Sequence, residues 1–96
     1  MPTPEAEQAR DPNLTWKDGL EAYQRKEYGA AVESFEAVLK TRPSDSSVHR
    51  ALATAYYQVG RHQDALREFE EALRYNPNDG ALSEFVVKLR AALGGK

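Results

Sequence analysis

The sequence predicts an all-α fold in which two helical hairpins stack and a fifth helix closes the stack, and three observations carry that expectation. The chain aligns on itself without a gap at an offset of 34 residues, placing Tyr23 on Tyr57, Ala31 on Ala65, Phe35 on Phe69, Leu39 on Leu73, Pro43 on Pro77 and Asp45 on Asp79. Within each unit the apolar residues recur at the helical spacing of about 3.6 residues. No stretch carries the alternation of a strand.

Each helix follows from local signals. Asp11 as cap and Pro12 at the first helical position predict a helix over about 12–25, with Leu14, Ala22 and the small Gly19 available for packing. The second helix is expected from about Tyr28 to Thr41, with Ala31, Val32, Phe35, Val38 and Leu39 on one stripe, and it stops before Pro43 because proline lacks the N–H a helix needs. Ser44 or Asp45 caps a third helix to about Val59, and Gly60 supplies a left-handed C-terminal residue. A fourth runs from about His62 to Tyr75. A fifth, from about Gly80 to Leu93, presents Leu82, Phe85, Val86, Leu89 and Leu93 before Gly94 and Gly95. Acid-before-base pairs at four-residue spacing, Glu36 with Lys40 and Glu70 with Arg74, support the second and fourth helices.

One hairpin of this kind cannot bury its apolar face alone, so consecutive hairpins must stack and the last must be covered. The resulting domain is expected over 12–96, with repeat one at about 12–45, repeat two at about 46–79 and the closing helix at about 80–93. The first eleven residues, rich in Pro, Glu and Gln, read as a disordered tail.

The 96 residues are enough for one domain, and a hydrophobic content of 41% supports a modest core. A net charge of −2 without a lysine or arginine run argues against a nucleic-acid partner. The absence of cysteine removes disulfides and thiolate chemistry. No apolar run approaches the ~20 residues that cross a bilayer, so no membrane insertion is expected, and the chain reads as cytoplasmic unless a signal peptide has been removed. The alanine and arginine content points to a bacterial source.

The second unit resembles the tetratricopeptide repeat family: Leu52 with Ala53, Tyr56 with Tyr57, Gly60, Ala65, Phe69, Ala72, Leu73 and Pro77 stand where the family has leucine with a small residue, tyrosines, the turn glycine, alanine, an aromatic, alanine, leucine and proline. The first matches through Gly19, Tyr23, Tyr28, Ala31, Phe35, Leu39 and Pro43, so the resemblance covers about 12–77, and the fifth helix looks like the family's solvating cap. It implies a right-handed α-solenoid. Two residues depart from the pattern. Asp18 sits where the family has leucine, as suits an array that begins here. Trp16 lies one residue beyond the family's tryptophan and is expected to point into the inner groove instead of between helices.

No constellation for catalysis is visible. His49 and His62 fall on separate helices at no metal spacing, Ser46 and Ser47 stand where serine caps a helix, and Glu68, Glu70 and Glu71 interleave with Arg67 and Arg74 on a solvated face. No catalytic residue, metal or cofactor is expected, and the chain reads as a non-enzyme.

In the resembled family the first helix of each hairpin lines a concave groove. Here those helices offer three strips: Trp16, Leu20 and Tyr23; Arg50, Thr54 and Tyr57; Glu84, Lys88 and Ala91. Gln24 and Gln58 follow the paired tyrosines and can bond a ligand's backbone amides. Aromatic and arginine side chains dominate binding hot spots, so the expectation is an adaptor whose groove holds a peptide or helix of a partner protein, with an apolar side chain over Trp16 and Leu20 and an acidic or carbonyl group near Arg50. The carboxylate clamp with which some family members grip chaperone tails is not carried: its positions hold Trp16, Leu20, Ala51, Ala81 and Phe85. The alternative reading is a structural module that forms a homodimer through the groove or the apolar surface of Phe85, Val86 and Val87.

Overall fold

A computed structural model of the chain describes residues 13–94, which form five α-helices and no strand: α1 Trp16–Gln24, α2 Tyr28–Thr41, α3 Ser46–Gln58, α4 His62–Tyr75 and α5 Gly80–Gly94. The expected tail and Asp11 lie outside the described residues, as do Pro12 and Gly95. Each helix packs on its neighbours in sequence, the arrangement of a helical-repeat solenoid. No helix among the described residues is long and apolar enough to cross a membrane.

The start of α1 corrects the expectation of a helix from residue 12. Asn13 and Leu14 are not helical, and Thr15 is the cap: its Oγ1 accepts from the Asp18 N–H at 3.2 Å while Asp18 Oδ2 accepts from the Thr15 N–H at 2.9 Å. This reciprocal pair satisfies two backbone donors the helix cannot, and the Asp18 carboxylate also sits at the positive end of the helix dipole. Asp18 therefore serves the helix end instead of a core position. Asp45 caps α3 by accepting from Ser47 N–H at 2.9 Å, and Asp79 accepts from Leu82 N–H at 3.0 Å in α5.

The two hairpin turns share one device, again 34 residues apart. Lys26 has φ +63° and Gly60 φ +87°. After α1 the N–H groups of Lys26 and Glu27 donate to the carbonyls of Tyr23 and Ala22. After α3 those of Gly60 and Arg61 donate to Tyr57 and Tyr56. Both sets satisfy terminal carbonyls through a left-handed residue, and that reversal lets α2 and α4 start at once.

The core runs along the stack through Ala31, Val32 and Phe35, then Leu52, Ala53 and Tyr56, then Ala65, Phe69 and Ala72, and ends on Leu82, Val86 and Leu89 of α5. Gly19 has a packing role: a Cβ there would fall on the Phe35 ring, well inside van der Waals contact. At the matching place in the second hairpin Ala53 is fully buried.

Glu36 and Glu70, expected to pair along their own helices with Lys40 and Arg74, instead bond to neighbouring helices. Glu36 accepts from the Tyr56 hydroxyl at 2.6 Å, and Glu70 pairs with Arg90 of α5 at 2.5 Å, while Arg74 lies 3.7 Å from Glu71. Bonds of this kind pin neighbouring layers together, whereas pairs along one helix contribute only about 0.2–0.5 kcal/mol.

Candidate functional site

The inner faces of α1 and α3 enclose a cleft of about 350 Å³. Its α1 wall is Trp16, Leu20 and Tyr23, its α3 wall is Ser47, Arg50, Ala51 and Thr54, and Phe35 of α2 forms its floor. The capping box fixes where α1 begins and so where Trp16 stands. Trp16 both lines the cleft and rests on Phe35, ring centroids 5.2 Å apart, so the expectation that it points only into the groove is half right. Leu20 is 40% exposed. Tyr23 packs edge-on against Tyr28 at 5.1 Å, and its hydroxyl accepts a hydrogen bond from Gln58 Nε2 at 3.3 Å. Gln58 thus bridges the two hairpins across the groove.

Arg50 leans toward the closing helix, its Nη1 3.3 Å from Asp79 Oδ2, and stays mostly exposed. Thr54 donates back to the Arg50 carbonyl at 2.8 Å, which holds its methyl and hydroxyl against the α3 wall. A smaller, polar hollow of about 140 Å³ lies on the far side of Arg50, toward Asn76 and Asp79.

Five of the ten expected groove residues meet in the cleft: Trp16, Leu20, Tyr23, Arg50 and Thr54. Tyr57 lies beyond it, 4.6 Å from His62 and 6.1 Å from Phe85 by ring centroids, and Phe85 in turn covers Phe69 edge-on at 5.1 Å. Gln24, Glu84 and Lys88 are exposed and do not line this cleft. Sequence reasoning missed Phe35, Ser47 and Ala51 as lining residues. Ser47 and Ala51 flank Arg50 and Thr54 on the same face of α3, a signal the helical spacing does contain.

His49 belongs to the fold. Its Nδ1 lies 2.7 Å from Glu68 Oε1 and its Nε2 2.7 Å from the Pro43 carbonyl, while its ring stacks on Tyr75 at 5.5 Å. Burial alone lowers its pKa, but the Glu68 and Pro43 hydrogen bonds and the charges of Glu68 and Glu71 outweigh burial and raise it. Glu68 and Glu70 are therefore tied into the stack, not simply solvated as expected. Arg61 lies over the Tyr56 ring at 4.5 Å and bonds Asp64, which is also paired with Arg67; these cations hold the Asp64 carboxyl below its usual range. Among the described residues no three histidine, cysteine, aspartate or glutamate side chains form a group able to hold a metal ion.

The family model of the tetratricopeptide repeat matches residues 22–93. The chain is 29% identical over 63 residues to a small glutamine-rich tetratricopeptide repeat-containing protein 2 of Mycosarcoma maydis, covering 66% of this chain and 18% of that protein. It is 29% identical over 69 residues to superkiller protein 3 of Schizosaccharomyces pombe, covering 72% of this chain and 5% of that one. It is 38% identical over 50 residues to the tetratricopeptide repeat and J domain-containing co-chaperone DNJ1 of Cryptococcus neoformans, covering 52% and 10%. The chain thus spans less than a fifth of each of these curated relatives. All three are fungal and lend no support to a bacterial source. No solved structure matches. The 34-residue register, the stacked hairpins with their closing helix, and the match over 22–93 together place the chain in the tetratricopeptide repeat family, whose repeats act as protein-interaction modules.

Proposed function

We propose that the chain is an adaptor that binds a peptide or helix of a partner protein in the groove on α1, α3 and α5. The working unit is taken as repeats 12–45 and 46–79 with the closing helix 80–93. The observation that carries the reading is the cleft between α1 and α3, whose volume falls within the ~300–1,000 Å³ of small-ligand pockets and whose apolar wall is interrupted by a few polar groups that can orient a ligand. Exposed Leu20 and Arg50 supply contact area and charge without belonging to the core. A role without chemistry of its own accords with the family. The test compares capture of partner proteins by the wild type and by a Leu20→Glu, Tyr57→Ala variant, both checked for folding by circular dichroism. A partner held by the wild type and lost by the variant supports the groove; equal capture places binding elsewhere.

A second reading, self-association, is favoured by one feature: Phe85 and Val87 of α5 are 39% and 59% exposed. Light scattering decides it, since a dimer that Val87→Lys splits would make α5 an interface.

A further inference from the structure

The two halves of the groove differ at one register position. Ala51 of α3 and Phe85 of α5 are 34 residues apart and hold the same place in their helices, the sixth residue of each. In the second half Phe85 reaches over the buried Phe69, 5.1 Å between centroids, with Tyr57 beside it at 6.1 Å. In the first half the corresponding ring, Phe35, is already covered, with Trp16 packed on it at 5.2 Å, and α3 brings only the methyl of Ala51 to the place that Phe85 fills; the cleft opens between Ala51 and the Trp16–Leu20 wall. Where α5 carries an aromatic ring, α3 thus carries a methyl with open cleft beside it.

Resting on the groove reading above, we infer that Ala51 sets the groove's specificity by leaving room for one aromatic side chain of the partner between Ala51 and the Trp16–Leu20 wall, with a carboxylate of the same partner segment beside it on Arg50. The ring would stand at the register place that Phe85 holds in the second half. Trp16 on the opposite wall offers it an aromatic face, and offset or edge-on pairs contribute about 0.5–1.5 kcal/mol beyond area burial. The carboxylate follows from Arg50, which lines the same cleft: a guanidinium carries five N–H donors and the Asp79 contact uses one. The occupant is therefore a segment with phenylalanine, tyrosine or tryptophan next to aspartate or glutamate. The clamp for chaperone tails needs lysine and asparagine and does not describe it.

The experiment selects binders from a phage-displayed library of random peptides on the folded wild type, then measures the enriched peptides by fluorescence anisotropy against Ala51→Phe, Ala51→Leu and Arg50→Gln. Enriched sequences are expected to share an aromatic residue next to an acid. Ala51→Phe is expected to weaken them about tenfold or more, Ala51→Leu less, and Arg50→Gln is expected to weaken acidic peptides more than versions with asparagine or glutamine in place of the acid. Enriched peptides with no aromatic position, or with unchanged affinity for a folded Ala51→Phe variant, overturn the inference and leave the groove reading standing if Leu20→Glu still abolishes them. Failure to enrich any peptide counts against both. The wild-type consensus alone decides the matter if Ala51→Phe does not fold.

Discussion

His49 Nδ1 and Glu68 Oε1 lie 2.7 Å apart, and the other ring nitrogen of His49 lies 2.7 Å from the Pro43 carbonyl. A carbonyl and an ionised carboxylate accept but do not donate, so satisfying both contacts requires a ring that donates from both nitrogens, the imidazolium. The cation sits in the first turn of α3, where the helix dipole opposes it, and the Asp45 carboxylate at the cap and Glu68 and Glu71 on α4 compensate.

Stability is therefore expected to fall as the solution is made alkaline. The folded pKa of His49 is raised above the ordinary 6.5, so its contribution is fully present below about pH 6.5 and lost as pH rises through the folded value. Urea midpoints at about pH 6 and pH 8.5 check this: the wild type should be less stable at the higher pH and His49→Gln should show a smaller difference. An unchanged or higher wild-type midpoint at the higher pH would show that the ring is not held as a cation.

Gly19→Ala is expected to destabilise the first hairpin by about 1–3 kcal/mol, because the added methyl meets the Phe35 ring, which is buried and also packed against Trp16. Thermal melting of the variant measures the loss. A melting temperature equal to the wild type would mean that Phe35 moves aside at no cost.

Lys26→Gly is expected to stabilise by about 0.5–1 kcal/mol. Lys26 holds φ +63° in the turn where the second hairpin has Gly60, and a side chain in the left-handed region costs about 1–2 kcal/mol, partly offset by the greater freedom glycine has when unfolded. Denaturant unfolding compares the two proteins. The opposite substitution, Gly60→Lys, is expected to lower stability by a similar amount.

Phe69→Ala is expected to cost about 3–5 kcal/mol, since the ring is buried between α3, α4 and α5 and its removal leaves a cavity under Phe85. Chemical denaturation would detect so large a loss readily. A variant with the parent's midpoint would contradict the packing of the second hairpin.

The stacked hairpins were legible in the sequence because repetition and helical spacing act over many residues at once. The α2 and α4 boundaries coincide with the expected ones, since Pro43 and Pro77 stop those helices from outside. The start of α1 was not legible: Pro12 offered a helix-start signal that competed with Thr15 and Asp18, and only the backbone decides which donors are satisfied. The left-handed conformation of Lys26 was missed because lysine itself has no preference for it, although the 34-residue register sets Lys26 on Gly60. The partners of Glu36 and Glu70 depend on distances between layers that no spacing rule supplies. The candidate site was legible on α1 and α3 for the same reason as the helices. Its failure to extend to Glu84 and Lys88 comes from Phe85, which fills the second crevice that a smaller residue would have left open.

Binding of protein segments on the concave face can be followed by NMR: amide shifts of the labelled domain are recorded while a peptide selected on it is added. The largest changes are expected on the inner faces of α1 and α3, around Leu20, Arg50, Ala51 and Thr54, with α2 and α4 little affected. Changes concentrated on the outer surfaces of α2 and α4, or on Val87 of α5, would contradict it.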